Sequence, residues 1–467
     1  MITLQKSTAV TPINWGNFTT PYPTTPDATL AKELLQTALK YAVGDGYVNK
    51  YGPSTTGYID FGNLNNRFIR HDIIRPPAMQ ALSIAIAIKL GVYSEDVAGK
   101  TEKEAMAICT KLTRSLARCH KTIEPDIGWG IGWQDAWWAF VVGLTGWLTW
   151  EHYNAEDQSY IHRMIMMEAD SFASINRRGL YYMDKTGEII IPGDTKGEEN
   201  AWDSNIRHLA YAMMPNHDHR FLWEYEGLLL NISSFAAPMD VCGASADNIV
   251  NGRKLRDWLE GSNAYDNGVV VNHDMIHPDY MAACGGNLFN ACVLTLGGLP
   301  TPRGIFNGVA RTYNALVNVK FDENYVLPPD TQKLGIQEAP AGIYGRTIYS
   351  YCDAACTQKS HVFYMPQGND WGHVRQATMG GFDAMVNAFD MGTPCAHEWE
   401  NIHMSQAKKM QSRFADGSMY GPGEVENFKP RQEQACLELA QAVFAKWTVA
   451  QKGYEVTDAP PRLLELL

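Results

Sequence analysis

Apolar side chains recur at helical spacing along most of this chain. Between residues 101 and 120, one face carries apolar residues at positions i, i+3, i+4, i+7 and i+11, namely Ala105, Ile108, Cys109, Leu112 and Leu116. Similar periodicity predicts helices over 27–43, 76–91, 101–120, 134–150, 155–174, 198–214, 219–236, 278–296, 303–318, 376–390 and 434–449. Strand-like patterns are confined to 187–192, 345–351 and 360–365. An all-α protein with small β-hairpin insertions is therefore predicted.

Long polar loops that carry aromatic residues separate the predicted helices. Such loops do not suit a short-looped bundle, and they favour helical hairpins that close into an α/α toroid, an incomplete barrel with a cleft at its loop end. An irregular all-α protein is the alternative. Because no Pro-rich or Ser-rich linker marks a boundary, residues 1–467 are predicted to form a single α/α-toroid catalytic domain, with 320–375 as an insertion.

Composition and charge exclude several classes of partner. The formal net charge of −12 argues against nucleic-acid binding, which needs a basic surface. No run of about 20 apolar residues exists, so a soluble protein without membrane contact is expected. The N-terminus does not resemble a secretory signal, which leaves an extracellular or periplasmic protein without its signal, or a cytoplasmic one. Among nine cysteines, Cys352 and Cys356 are close enough for a small disulfide.

One fifteen-residue segment is rich in groups that transfer protons. Residues 266–280 read Asp-Asn-Gly-Val-Val-Val-Asn-His-Asp-Met-Ile-His-Pro-Asp-Tyr. His273 and Tyr280 lie seven residues apart, and Pro278 between them sits where the first turn of a helix is expected. A histidine can act as a base near neutral pH, whereas a tyrosine must have its pKa of about 10 lowered first. The segment is predicted to carry proton transfer, with ordinary structural roles for both residues as the alternative.

A second polar segment, 194–208, is predicted to face the same cleft. If its helix begins near Lys196, one face is polar and carries Asn200, Ser204, Arg207 and His208. A solvated helix face would give the same pattern.

Together the two segments suit removal of the C5 proton of a uronic acid. That proton is acidic only when the adjacent carboxylate is neutralised by a donor, as in an oxyanion hole. Asn200, helped by Arg207 or Arg303, is predicted to neutralise it. His273 or ionised Tyr280 would take the proton, and Tyr280 would return one to the leaving oxygen.

These motifs resemble those of a known enzyme family. The Asp-x-Gly, apolar run, Asn-His and later Tyr of 266–280 are similar to the catalytic stretch of polysaccharide lyase family 8, the chondroitin and hyaluronate lyases. Glu-Asn-Ala-Trp-Asp at 199–203 resembles that family's Ala-Asn-Arg-x-Asp segment. In size the chain resembles stand-alone alginate and glucuronan lyases such as family 38. The resemblance implies an α/α toroid and β-elimination, with Asn200, His273 and Tyr280 as catalytic residues. Arg303 and Glu400-Asn401 are the nearest matches to the family's Arg and Glu.

Aromatic and polar clusters are expected to bind the substrate. Trp129, Trp137 and Trp138 lie close to residue 133 in the sequence, and their flat aromatic faces would suit sugar rings. Roles in the hydrophobic core would explain these three residues equally well. The residues expected to contact an anionic polysaccharide are Trp133, Gln134, Arg207, His208, Asn272, Tyr344, Arg346, Gln367, Asn369, Trp371 and Arg375.

Other chemistry receives less support from the sequence. His217 and His219 lack the i, i+4 spacing of a helical metal site, and no cofactor motif occurs, so neither a metal nor a cofactor is expected. The main alternative is an α/α-toroid glycoside hydrolase that acts on unsaturated or other uronyl oligosaccharides. Its paired carboxylates would come from Asp135, Asp203, Asp240 and Asp279. A non-catalytic glycan-binding toroid and a dehydratase or isomerase of a small alcohol are further alternatives.

Overall fold

The computed structural model describes residues 10–132, 134–171, 180–321, 346–350, 363, 365–367, 376–421, 424 and 431–466. Its α-helices are α1 (Pro26–Val43), α2 (Asp45–Tyr51), α3 (Arg67–Lys89), α4 (Glu95–Ala98), α5 (Glu102–Arg118), α6 (Asp135–Leu148), α7 (Ala155–Asp170), α8 (Gly197–Met213), α9 (Arg220–Ser234), α10 (Pro238–Val241), α11 (Leu255–Trp258), α12 (Pro278–Ala282), α13 (Gly285–Leu296), α14 (Val309–Asn318), α15 (Gln376–Ala388), α16 (Ala396–Gln411), α17 (Arg431–Ala450) and α18 (Arg462–Leu466).

The strands in the described residues are two residues long and pair in twos. They are β1 (Met183–Asp184), β2 (Ile249–Val250), β3 (Arg253–Lys254), β4 (Gly261–Ser262), β5 (Val271–Asn272), β6 (Met275–Ile276), β7 (Thr301–Pro302), β8 (Lys320–Phe321), β9 (Arg346–Thr347) and β10 (Val456–Thr457). The pairs β1–β4, β2–β3, β5–β6 and β8–β9 are antiparallel, and β7–β10 is parallel.

The helices form two concentric layers. In the inner layer, α3, α6, α8 and α13 pack in that order, α13 packs against α15 and α17, and α17 returns to pack against α3. Outside this closed ring, α5, α7, α9, α16 and α1 each cover neighbouring inner helices. Apolar side chains of the inner helices are buried, including Trp138, Leu209, Phe289 and Phe444, and the Phe289 and Phe444 rings join α13 to α17. The predicted α/α toroid is therefore confirmed.

Two of the predicted helix boundaries are wrong for reasons of packing. The helix predicted from residue 76 begins at Arg67 and runs through Pro76 and Pro77, although a proline inside a helix removes a backbone hydrogen bond. Packing of α3 against α5, α6 and α17 outweighs that local cost. The predicted helix 278–296 is broken between α12 and α13. A Cβ at Gly285, the first residue of α13, would lie 2.6 Å from Met385 Cε, so a larger residue at this junction would require the end of the Met385 side chain to move.

The predicted strands are shorter than expected. Of 187–192, Ile189 makes one isolated bridge to Met183, and 345–351 contributes β9 and a bridge between Tyr349 and Phe363. Most of 360–365 lies outside the described residues. No helix in the described part of the chain is long and apolar enough to cross a membrane. The described cysteines are free thiols, while Cys352 and Cys356 lie outside this part.

A buried amide network joins α8, α9 and α13. Asn231 donates from Nδ2 to Ser204 Oγ and to Asn287 Oδ1, both at 2.9 Å, and its Oδ1 lies 2.7 Å from His208 Nε2. Asn290 Nδ2 also donates to Ser204 Oγ at 2.9 Å. All five residues are buried. Because buried amides are stable only when hydrogen-bonded, the network fixes how these three helices pack.

Buried acids are expected to make the free energy of unfolding depend on pH. Burial raises the pKa of Asp135 and of Asp203 from an ordinary 3.8 to about 7, even though Arg70 and Arg207 respectively oppose the shift. A raised folded-state pKa contributes stability that is complete below the unfolded pKa and is lost as pH rises through the folded one. Unfolding in urea should therefore become easier between about pH 4 and about pH 8.

The variant Asp203→Asn tests this expectation. An amide does not titrate, so the variant should show a flatter dependence of the urea midpoint on pH than the wild type. Asp257→Asn, at an exposed position on α11, serves as the matched control and should leave the slope unchanged. An identical slope in Asp203→Asn and the wild type would contradict the expected role of this buried carboxyl.

Candidate active site

A cleft of about 290 Å³ opens at one end of the inner ring. Its lining comes mainly from the N-terminal halves of the inner helices, together with α12 and the β5–β6 hairpin. The polar and aromatic members are His71, Arg75, Gln134, Trp137, Glu198, Trp202, His273, Asp279, Tyr280, Thr378, Phe382, Arg431, Gln434, Glu438 and Gln441. Because each helix directs the positive end of its dipole toward its N-terminus, the inner ring makes this cleft favourable for negative charge.

Glu198, the second residue of α8, places a buried carboxyl in the cleft. Its side chain is 4% exposed, and Oε1 accepts a hydrogen bond from Asn272 Nδ2 at 3.3 Å. Within the described residues, Oε2 has no hydrogen-bond partner. Burial, followed by the charge of Glu199, raises the pKa of Glu198 well above its ordinary value. Its surroundings therefore favour the protonated, neutral form of the carboxyl more than water does.

Acidic clusters in the described residues are already matched by lysines. Asp194, Glu198 and Glu199 bring carboxylate oxygens within 4.8 Å of one another. Lys196 Nζ lies 2.6 Å from Asp194 Oδ2 and 3.2 Å from Glu199 Oε1. In the comparable group of Asp27, His397 and Glu400, Lys446 contacts both carboxylates. An ammonium thus occupies the position that a cation would take, and we assign no metal to either cluster.

The β5–β6 hairpin turns through two residues with positive φ, His273 at 50° and Asp274 at 60°. Such turns normally carry Asn or Gly, so these side chains are held in a strained backbone conformation. The Asp274 amide donates to the Gly193 carbonyl at 2.9 Å. A Cβ at Gly193 would lie 1.8 Å from Asp274 Oδ1, so only glycine permits this close approach. The turn is thereby held against the segment that leads into α8.

His273 and Tyr280 meet at the edge of the cleft. The Tyr280 hydroxyl lies 3.1 Å from His273 Nε2, and His277 packs edge-on against both rings. Burial of the hydroxyl, followed by the charges of Glu198 and Glu199, raises the pKa of Tyr280 well above 10. The phenol therefore stays protonated near neutral pH. The prediction that ionised Tyr280 acts as a base does not fit this electrostatic environment.

The remaining cleft walls combine charge with aromatic faces. Asp279, the second residue of α12, is 6% exposed. The Arg75 guanidinium lies 5.2 Å from the centre of the Trp137 ring, and the Trp137 and Trp202 rings are 6.3 Å apart at 42°. Arg431, the first residue of α17, donates to Gln434 Oε1 at 2.9 Å. Cationic and acidic side chains thus share one cleft with two indoles.

Several residues predicted to act in the cleft lie elsewhere. Asn200 is buried and donates to the Leu180 carbonyl at 2.9 Å, Arg207 pairs with Glu226 at 3.0 Å, and His208 belongs to the Asn231 network. The spacing on α8 does place Asn200, Arg207 and His208 on one polar side of the helix. That side packs against other buried parts of the fold and does not line the cleft. Arg303 is more than half exposed and pairs with Asp458 at 2.7 Å.

Other predicted contacts have mixed outcomes. Gln134 lines the cleft, and Gln367 accepts the Ile276 amide at 2.5 Å, so it supports the hairpin. Asn272 is buried behind Glu198. The backbone of Arg346 lies in β9. Outside the described residues are Trp133, Tyr344, Asn369, Trp371 and Arg375.

Of the four carboxylates considered for the hydrolase alternative, some line the cleft and others lie elsewhere. Asp279 lines the cleft, whereas Asp135 pairs with Arg70 at 2.6 Å and Asp240 with Arg311. Asp203 is buried and is not part of the lining.

Sequence reasoning assigned no role to several lining residues, among them His71, Arg75, Glu198, Trp202 and Arg431. In the sequence, two adjacent acids, Glu198 and Glu199, directly precede the polar face of α8, and this feature could have indicated an acidic group in the site.

Comparison with known proteins finds no matching family model and no matching curated protein. Among solved structures, the chain is similar to an inactive variant of the α-1,6-mannanase GH76A of Salegentibacter sp. HEL1_6 in complex with α-1,6-mannotetrose. Identity is 10% and the TM-score 0.37, over 90% of this chain and 100% of that one. A second inactive variant, in complex with α-1,6-mannotriose, shows 9% identity and a TM-score of 0.40, over 89% and 99%.

These neighbours are glycoside hydrolases and not lyases, which contradicts the predicted resemblance to polysaccharide lyase families 8 and 38. The prediction of a polysaccharide lyase, with β-elimination of alginate or glucuronan, is wrong. The side chains give a physical reason. Neither Asn200 nor Arg303 reaches the cleft to neutralise a carboxylate, and the environment of Tyr280 opposes the ionisation that a tyrosine base requires.

Proposed function

We propose that this chain is a glycoside hydrolase that acts on uronyl oligosaccharides, with Glu198 as the general acid and Asp279 as the second carboxylate. The observation that carries the proposal is the buried Glu198 carboxyl, whose pKa is raised and whose Oε2 has no hydrogen-bond partner in the described residues. Glycoside hydrolysis needs a carboxylic acid that is still protonated near neutral pH, and desolvation is the usual means of obtaining one.

Asp279 supplies the second carboxylate that this chemistry requires. It lines the same cleft as Glu198 and enters from α12, a different element of the fold. As the bond from the anomeric carbon to the leaving oxygen breaks, Glu198 donates its proton to that oxygen. Asp279 stabilises the positive charge that develops on the sugar and assists the addition of water. The protonated Tyr280 is available as a hydrogen-bond donor beside them.

Charge in the cleft supports an anionic sugar as the substrate. The N-termini of the inner helices and the Arg75 and Arg431 side chains favour a carboxylate. Trp137 and Trp202 offer faces on which sugar rings can stack. A uronyl unit carries both features, a ring and a carboxylate. An extracellular or periplasmic location, where such glycans are degraded, belongs to this proposal.

The proposed reaction can be tested by analysing the products formed in water labelled with a heavy oxygen isotope. A panel of uronyl oligosaccharides and their neutral counterparts is incubated with the protein, and the products are analysed by mass and by near-ultraviolet absorbance. Hydrolysis incorporates one solvent oxygen into each new reducing end and creates no chromophore. Products that absorb in the near ultraviolet and carry no solvent oxygen would show elimination and would overturn the proposal.

The variant Arg75→Gln tests the proposed substrate charge. Loss of one charged hydrogen bond to a uronyl carboxylate should lower kcat/KM by about 10- to 100-fold. The neutral glycoside with the same leaving group should be affected much less. The exposed Arg256→Gln is the matched control and should change neither rate. Equal losses on both substrates would indicate that Arg75 does not recognise the carboxylate.

A further inference from the structure

The side-chain amide of Asn272 has a fixed orientation beside the proposed acid. Its Oδ1 accepts the backbone amide of His273 at 2.7 Å. A backbone N–H can only donate, so the oxygen must face His273 and the nitrogen must face the other way. Nδ2 then lies 3.3 Å from both Glu198 Oε1 and Asp194 Oδ1. Asn272 itself is 2% exposed, so water does not compete for these contacts.

We infer that Asn272 is a positioning residue that directs the proton of Glu198 onto Oε2 and so makes the carboxyl a competent acid. This inference rests on the proposed function. The Nδ2–H group needs an acceptor, and the protonated oxygen of a carboxyl group is a poor one. Donation to Oε1 therefore leaves Oε2 to carry the proton. Oε2 is also the oxygen without a hydrogen-bond partner among the described residues, so a proton on it is not already donated to a neighbouring group.

The strained hairpin turn supports this geometry. The His273 N–H that holds Asn272 Oδ1 belongs to the first residue of the turn, in which His273 and Asp274 both have positive φ. The contact of Asp274 with Gly193 fixes the same turn beside Asp194, one of the two carboxylates that Nδ2 reaches. Strained backbone often persists where a functional geometry requires it. The turn thus holds the Asn272 amide in its orientation toward Glu198.

Several charged or titratable side chains surround the Glu198 carboxyl, in addition to the neutral amide of Asn272. Asp194, Lys196 and Glu199 face it from its own segment, and Tyr280 does so from α12. Arg75, His273 and Asp279 line the cleft with it. Any test must therefore separate a change in the acid from a general loss of structure.

Two variants of Asn272 are compared by the pH dependence of kcat/KM on a uronyl oligosaccharide. Asn272→Leu removes the donor, and Asn272→Asp keeps the acceptor for the His273 amide but replaces the donor with a charged oxygen. Either change disfavours ionised Glu198, so the alkaline limb of the profile should move to higher pH in both. The rate at the optimum should fall about 10- to 100-fold because the proton is no longer directed to Oε2.

Gln411→Leu is the matched control. Gln411 on α16 is 3% exposed, and its amide donates to the carbonyls of Leu34 and Gly417 rather than to a carboxylate. It should lower stability without moving the alkaline limb. An unmoved limb in folded Asn272→Asp, with Glu198→Gln still inactive, would overturn the role of Asn272 and leave the proposed function standing. Hydrolysis that persists in Glu198→Gln would overturn the proposed function itself.

Discussion

Glu198→Gln is expected to reduce kcat on a uronyl oligosaccharide by about 10²- to 10⁴-fold, the usual contribution of a general acid. Glutamine has nearly the shape of glutamic acid, and its amide oxygen can still accept the hydrogen bond from Asn272. It cannot release a proton to a leaving oxygen. Because the wild-type carboxyl is favoured in its neutral form, the neutral amide should be accommodated without unfolding.

The measurement is a steady-state rate at the pH optimum, with circular dichroism as a check on folding. Glu188→Gln, on the exposed turn after β1, is the matched control and should retain full activity. A substrate whose leaving group needs no protonation should recover much of the lost rate in Glu198→Gln. A Glu198→Gln enzyme with wild-type kcat on an unactivated glycoside would show that another group is the acid.

The variant Asn231→Leu is expected to destabilise the protein by about 3 kcal/mol or more. Leucine has a similar size but leaves Asn287 Oδ1 and His208 Nε2 without their Asn231 partner, and it removes one of the two amide donors to Ser204 Oγ at the centre of the α8–α9–α13 interface. Each buried group left unsatisfied costs about 1 to 3 kcal/mol. Burial also opposes glycosylation at this Asn-Ile-Ser triplet in the folded protein.

Urea denaturation followed by circular dichroism measures this loss. The exposed Asn314→Ala on α14 is the control and should change the free energy of unfolding by less than about 0.5 kcal/mol. An unchanged urea midpoint in Asn231→Leu would mean that the neighbouring amides find other partners. In that case the network would not fix the packing of these helices.

The sequence predicted the layered helices well because apolar periodicity reports directly which residues face a core. Local patterns were less informative about which part of the fold a polar helix face contacts. The polar face of α8 was correctly recognised, yet a repeat shows only that residues share a face and not which neighbour they meet. Asn200, Arg207 and His208 therefore pointed to a cleft when they in fact contact buried helices and loops.

The candidate site depended on long-range contacts that no local pattern contains. Pro278 does begin α12, and the seven-residue spacing does bring His273 to Tyr280. The altered pKa of Glu198 arises instead from burial within a ring closed by distant helices. The raised pKa of Tyr280 likewise arises first from burial and then from the charges of Glu198 and Glu199, some 80 positions earlier in the chain.

The order of helices around the inner ring has a consequence for biosynthesis. Glu198 and Asp279 both emerge in the middle of translation, whereas Arg75 and Arg431 lie on α3 and α17, the two helices that meet where the ring closes. The acidic half of the cleft can therefore assemble before the chain is finished, but the cationic wall is completed only when the last inner helix docks against the first. Under the proposed function, protein that has not completed this final docking step should be unable to hold an anionic sugar, so activity would appear together with closure.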